Sequence, residues 1–115
     1  MSEDGAWFAR RYPVGDTSLP ARYAQAITAY RFGSVEQAIR MIDALIQSQP
    51  GNAYFWELKG QALLERGRAR EAIDPLRRAV DLAPNSGLLK ILLGHALVET
   101  GDTGRAAEAI RYLNQ

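Results

Sequence analysis

The 115-residue chain contains no cysteine and a single histidine, His95. Without cysteine, the chain has no disulfides, thiolate metal sites or cysteine nucleophiles. The lone histidine belongs to no HExxH motif, so we expect neither a metal nor any other cofactor. The glycines follow a repeat instead of a phosphate-binding loop, and no serine is placed near His95 in a recognisable nucleophile arrangement. The sequence therefore indicates a chain without catalytic residues of its own.

An excess of charge of either sign is also missing. The chain has 14 Lys and Arg against 13 Asp and Glu, a net charge of +1, and the two signs are interspersed along it. A basic patch suited to nucleic acid or to an anionic membrane is therefore not expected. No apolar run approaches the length of a membrane span, and residues 1–11 lack the apolar core of a secretory signal, so we expect no direct membrane insertion.

What the chain does have is an internal repeat. Residues of matching type recur at intervals of 34: Pro50 and Pro84; Gly33, Gly67 and Gly101; Ala26, Gly60 and Gly94. Several independent positions agree on this period, which is that of the tetratricopeptide repeat, a pair of antiparallel helices.

The middle unit, residues 53–86, shows why these residues recur. Gly60 and Ala72 are small enough to let two helices approach closely, and Leu76 fills the space beside them. Gly67 can end the first helix in a left-handed conformation, and Pro84 stops the second. Pro75 is expected near the first turn of its helix, where a missing N–H is tolerated.

The sequence thus predicts an all-α fold, a tetratricopeptide-type α-solenoid of about three repeats and six helices. The helices are expected near residues 20–32, 35–48, 53–66, 69–82, 86–100 and 104–114. The domain is expected to cover residues 19–115, after an extended N-terminal segment at 1–18 that carries Trp7, Phe8 and Tyr12. The repeats are expected near residues 19–52, 53–86 and 87–115.

The third repeat departs from the pattern. Glu71-Ala72-Ile73 recurs as Glu108-Ala109-Ile110, which is 37 residues later instead of 34. This spacing predicts a short insertion within residues 102–107, either as a longer loop or as an early, rotated start of the last helix. The repeat is predicted to be incomplete at Gln115. An uncapped array exposes apolar surface, which indicates a fragment or a covering partner.

The first helix of each repeat is expected to line a concave face that binds a protein or peptide segment. Apolar and aromatic side chains dominate this predicted groove, as is typical of binding surfaces. The predicted lining is Tyr23, Ile27, Tyr30, Tyr54, Glu57, Gln61, Leu64, Leu88, Ile91, His95 and Val98. The alternative for any one of these residues is packing against neighbouring helices. Capture of a chaperone carboxylate is disfavoured because the groove offers no cationic donors for it.

Two stretches of sequence carry a more specific resemblance. Residues 11–24, including RYP and DTSLPARYA, and residues 54–65, YFWELKGQALLE, resemble the C-terminal tetratricopeptide region of bacterial BepA-like HExxH zinc metallopeptidases. The resemblance covers residues 11–113. It implies a role beside an envelope protease, in binding substrates or assembly partners. The zinc and catalytic residues do not carry over, because the chain lacks the motif that supplies them.

Two functional hypotheses follow. In the first, the chain is a non-catalytic interaction module of an envelope metallopeptidase, located in the periplasm or cell envelope. In the second, it is a stand-alone cytoplasmic adaptor. Self-association through the N-terminal segment or the uncapped third repeat is compatible with both. A small enzyme is disfavoured by the residue inventory.

Overall fold

The computed structural model describes residues 18–101, 104, 107–109 and 111, and these residues are helical apart from short turns. The five complete helices are α1, Leu19–Phe32; α2, Val35–Ser48; α3, Ala53–Glu65; α4, Ala69–Leu82; and α5, Gly87–Glu99. Residues 104, 107–109 and 111 are helical and belong to a sixth helix, α6. These positions confirm the predicted helices, with ends that differ by at most one residue in α1–α5. No strand occurs in the described ranges.

Polar side chains fix the helix starts. The Ser34 hydroxyl accepts a hydrogen bond from the Gln37 N–H at 3.0 Å, and Ser86 accepts one from the Leu89 N–H at 3.3 Å. Ser18 caps α1 in the same way. Each cap satisfies an N–H group that the helix itself leaves unpaired, so these residues set where the helices begin.

The chain divides into two compact units, Met1–Pro50 and Gly51–Gln115. In the first, α1 and α2 form a helical hairpin. The buried side of α1 is made of alanines, which allows a close approach to α2. The Arg22 guanidinium donates to Ser48 Oγ and to the Ala44 carbonyl, each at 3.0 Å, and so ties the start of α1 to the end of α2.

In the second unit, α3 and α4 form the equivalent hairpin, and α5 packs on α4 and contacts α3. Gly67 joins α3 to α4 with a φ of 76°, the left-handed conformation predicted for it. Arg77 of α4 holds Glu108 of α6 through two hydrogen bonds, of which the Nη2–Oε2 bond is 2.8 Å long.

Pro75 is buried and is the seventh residue of α4. The prediction that it lies near the first turn is therefore wrong, because it occupies the second turn. Its missing N–H removes one hydrogen bond that the helix would otherwise make to the Glu71 carbonyl. The helix continues to Leu82 because its buried stripe, including Ile73 and Leu76, holds it in place.

Two predictions concern residues that the structure describes only in part or not at all. The N-terminal segment lies outside the described residues except for Ser18. The insertion predicted within residues 102–107 falls mostly outside them too and stays a prediction. Gly104, inside that stretch, is helical, as an early start of the last helix would require.

Candidate functional site

The helices differ in how their apolar side chains are distributed. In α2 and α4 these side chains form one stripe, and polar residues cover the rest of the helix. In α5 apolar side chains lie on nearly all sides of the helix, and in α3 they lie on several sides, interrupted by Glu57, Lys59 and Gln61. A helix that is apolar on all sides normally lies in a core. Since one side of α3 and α5 faces α4, their remaining apolar residues are available for another contact.

On this remaining side of α3 and α5 the residues follow a regular spacing. On each helix four residues follow one another at steps of three, four and three, which places them on one face. We call the two sets together the open face. It consists of Tyr54, Glu57, Gln61 and Leu64 on α3, and Leu88, Ile91, His95 and Val98 on α5. The two sets are 34 residues apart, so they occupy equivalent positions on the first helices of two successive repeats. These two helices contact each other.

Most of the large exposed apolar side chains of the described residues lie on the open face. Tyr54 is 71% exposed, Leu88 57%, Ile91 56% and Val98 51%. Among the described residues only one other large apolar side chain is exposed, Phe32 of α1, at 44%. Exposed apolar residues scattered singly are ordinary, but a cluster on one face marks a contact surface.

Buried residues alternate with the open ones along the same helices. On α3 the neighbours Phe55, Leu58 and Ala62 are buried, and on α5 the neighbours Leu89 and Leu93 are buried. Each helix therefore packs with one side and leaves the other side accessible. The open face is held in position by a packed core and not by the residues that form it.

Glu57 and His95 supply the carboxyl and imidazole groups of the open face. Partial burial raises the pKa of the Glu57 carboxyl, because removal from water disfavours its charged form. No residue in the described part of the chain forms a hydrogen bond or ion pair with it. His95 Nε2 lies 3.0 Å from Glu99 Oε1, one helical turn away, and both side chains are exposed. Their i,i+4 spacing was present in the sequence, but Glu99 was not among the predicted residues.

The structure brings together eight of the eleven predicted groove residues on the open face. The other three, Tyr23, Ile27 and Tyr30, are half-buried on α1 in the first unit, at positions equivalent to Glu57, Gln61 and Leu64. Their binding role, like that of the other eight, stays a prediction.

A second recess, which sequence reasoning did not anticipate, lies beside the turn between α3 and α4. It has a volume of about 330 Å³ and is lined by Gly67 to Glu71 together with Glu99 and Thr100. Its charged groups already have partners. Arg68 donates to both oxygens of Glu71, at 2.6 and 2.7 Å, which lowers the pKa of that carboxyl, and Arg70 donates to the Thr100 carbonyl at 3.2 Å. The recess is therefore a weaker candidate binding site than the open face, because its hydrogen-bonding groups are already used within the chain.

Two features are absent from the described residues. No group of three or more His, Asp or Glu side chains is arranged to hold a metal ion. No helix combines the length and apolar character needed to cross a membrane.

Comparison with known proteins agrees with this architecture. A family model described as Tetratricopeptide repeat matches residues 23–87, which is more than half of the chain. Solved structures of MamA have the same fold. That of MamA AMB-1 aligns with a TM-score of 0.77 at 21% identity, over 96% of this chain and 63% of that one. The RS-1 double mutant of MamA aligns with a TM-score of 0.74 at 18% identity, over 98% and 75%. The all-α solenoid prediction is thereby confirmed.

Two curated groups of proteins are similar in sequence. The "Beta-barrel assembly-enhancing protease" of Escherichia coli K12 is 31% identical over 93 residues, which are 80% of this chain and 19% of that protein. The "PEX5-related protein" of Rattus norvegicus is 30% identical over 112 residues, which are 96% of this chain and 18% of that protein. The chain thus spans about a fifth of the length of these relatives. The first similarity confirms the resemblance to the BepA-like tetratricopeptide region.

Proposed function

Because this chain belongs to the tetratricopeptide repeat family, a family of protein-interaction modules, we propose that it binds polypeptide segments on the open face of α3 and α5. The observation that carries the proposal is the clustering of exposed apolar residues there: Tyr54, Leu88, Ile91 and Val98. Burial of apolar surface is the main favourable term in protein association, at roughly 25 cal/mol per Å². Tyrosine adds a large, rigid contact with a polar tip.

The polar residues of the open face supply hydrogen-bonding groups to the proposed contact. Gln61 and His95 provide donors and acceptors that an extended or helical segment can satisfy, and Glu57 provides a carboxylate. The predicted contact residues Tyr23, Ile27 and Tyr30 belong to the same proposal, since they hold equivalent positions on α1.

The proposal extends to the parent protein. We infer that the chain is the C-terminal module of an envelope zinc metallopeptidase and that it presents polypeptide substrates or assembly partners to it. The resemblance to the BepA-like region and the 31% identity to the beta-barrel assembly-enhancing protease support this. The module itself contributes no catalytic residue in this proposal, and its location is the periplasm or cell envelope. An HExxH domain upstream in the same reading frame is the expected finding in the gene. Its absence would count against this assignment.

The second candidate is a stand-alone cytoplasmic adaptor. The similarity to PEX5-related protein covers a larger share of this chain, 96%, than the similarity to the protease does. A start codon at Met1 without an upstream protease domain would favour this candidate. Binding on the open face is common to both.

Self-association is a further part of the proposal, through the N-terminal segment or the third repeat. Light scattering of the whole chain over a range of concentrations tests it. A constant monomer mass would reject self-association and would leave peptide binding intact.

The binding proposal is tested by capture from an envelope extract followed by mass spectrometry. The test variant is Tyr54→Ser with Ile91→Ser, both at exposed positions, so that its helical circular dichroism should match that of the parent. The matched control is Phe32→Ser, an exposed apolar residue outside the open face. Proteins captured by the parent and the control but lost from the test variant would support the proposal. Equal capture by all three would reject the open face as the binding site.

A further inference from the structure

Glu57 is the single carboxylic acid among the eight residues of the open face. It lies on α3 one turn after Tyr54 and one turn before Gln61, and its position on α5 is taken by Ile91. A carboxylate in the middle of an exposed apolar surface is unusual, because it reduces the apolar area that a partner can cover.

Three other acidic groups of the second unit have partners. Glu99 lies 3.0 Å from His95, Glu71 accepts from Arg68, and Glu108 accepts from Arg77. Glu57 has no such partner within the described part of the chain. It is also partly withdrawn from water, and this burial raises the pKa of its carboxyl. Its environment therefore disfavours the carboxylate without supplying a compensating charge or donor.

A segment that covers the open face would withdraw Glu57 further from water. If the segment had no cation, it would leave a buried carboxylate unsatisfied, which is strongly unfavourable. A lysine or arginine at that point would remove this penalty by a charge-assisted hydrogen bond. None of the eight residues of the open face is a lysine or an arginine, so in this inference the cation comes from the partner.

We propose that Glu57 binds a lysine or arginine side chain of the docked polypeptide, so that the open face selects segments in which one basic residue is flanked by apolar residues. The inference rests on the proposed function and specifies the class of partner. The apolar flanks cover Tyr54, Leu88, Ile91 and Val98, and the basic residue meets Glu57. Acidic segments bind less well because their carboxylates would be repelled by the carboxylate of Glu57.

The test uses the whole chain and three fluorescein-labelled peptides, measured by fluorescence anisotropy. The peptides share two leucines and two phenylalanines around a central residue, which is arginine, glutamine or glutamate. We expect the parent to bind the arginine peptide at least about tenfold more tightly than the glutamine peptide, because an uncompensated buried charge has effects of this size or larger. The glutamate peptide should bind most weakly.

Variants at position 57 assign this preference to one side chain. Glu57→Gln should bind the arginine and glutamine peptides equally, and Glu57→Lys should prefer the glutamate peptide. The matched control, Asp74→Asn, removes an exposed acid from α4 and should keep the parent's preference. Circular dichroism checks that all variants keep their helices.

The outcomes separate this inference from the proposed function. An arginine preference that survives in Glu57→Gln would overturn the role of Glu57. Equal binding of all three peptides by the parent would overturn it as well, and so would no binding of any of them. If the Tyr54→Ser with Ile91→Ser variant binds the peptides as tightly as the parent, the open face itself is not the binding site, and the proposed function fails.

Discussion

Leu76 of α4 lies directly against the backbone of Gly60 in α3, so closely that a Cβ added at position 60 would be 2.5 Å from Leu76 Cγ. Leu76 is fully buried and cannot turn away without displacing its neighbours. The contact fixes the distance between α3 and α4 in the second unit, and with it the position of the α3 part of the open face.

We therefore expect Gly60→Ala to destabilise the protein, although alanine favours helix formation. Overpacking a core costs about 1–3 kcal/mol, and the better helix propensity of alanine returns up to about 1 kcal/mol. A net loss of about 1–2 kcal/mol should appear in urea unfolding followed by circular dichroism. An unchanged midpoint would contradict the helix register. In the double variant with Leu76→Ala, the two losses should not add, because the alanine at 76 makes room for the new methyl group.

The turn glycines give a second prediction, one without any side-chain clash. Gly67 and Gly101 have φ values of 76° and 73°, and a Cβ at either position would touch nothing within 4 Å. Gly67→Ala should therefore cost roughly 1 kcal/mol, through backbone strain alone. Gly51→Ala is the matched control, since Gly51 is equally open but has no positive φ. Thermal unfolding should separate the two variants, and equal melting temperatures would contradict the strained conformation.

The pair formed by Arg77 and Glu108 gives a third prediction. It connects α4 to α6, and the Glu108 side chain is only 19% exposed. Glu108→Gln and Arg77→Met should each destabilise the protein, and a double-mutant cycle should give a coupling of about 1 kcal/mol. Hydrogen exchange should report a loss of protection in residues 107–109 first. Additive effects would show that the two side chains do not stabilise each other.

Glu57 gives a prediction about pH. A carboxyl whose pKa is raised on folding binds protons more tightly in the folded state, so its ionisation opposes folding. Its effect on stability is absent below the ordinary pKa of 4.5 and develops as the pH rises through the raised value. Glu57→Gln should thus be slightly more stable than the parent at pH 7 and equal to it at pH 3. The control Asp74→Asn should show no such gain, and a Glu57→Gln variant less stable at pH 7 would contradict the burial of the carboxyl.

The sequence predicted the helices well because their ends depend on local chemistry. Ser34 and Ser86 cap helices through bonds to residues three positions away, and Gly67 acts through its own backbone. The 34-residue period then placed the open face, since equivalent positions of repeated helices face the same way. Local signals and the period agreed, which is why the helix bounds and the solenoid fold could be read without a structure.

Other features depend on contacts that the sequence does not encode locally. Pro75 was expected near the first turn although the predicted start of its helix, residue 69, was right, and the seventh residue of a helix lies in the second turn. That Glu57 has no partner among the described residues depends on the side-chain positions of the described lysines and arginines. The recess near Thr100 depends on how α5 packs beside the α3–α4 turn. Binding of a polypeptide to the open face likewise depends on the sequence of a second molecule.

The contrast between helices with one apolar stripe and helices with apolar residues on several sides has an evolutionary consequence. Side chains such as Leu58 and Leu93 hold the scaffold, whereas Tyr54 and Ile91 on the same helices hold nothing in place. Selection can therefore alter the exposed residues without a loss of folding, and duplicated repeats can diverge in their preferences while they keep one architecture. In such a protein, substitutions that change the choice of partner should accumulate at exposed positions spaced three and four residues apart, and at few others.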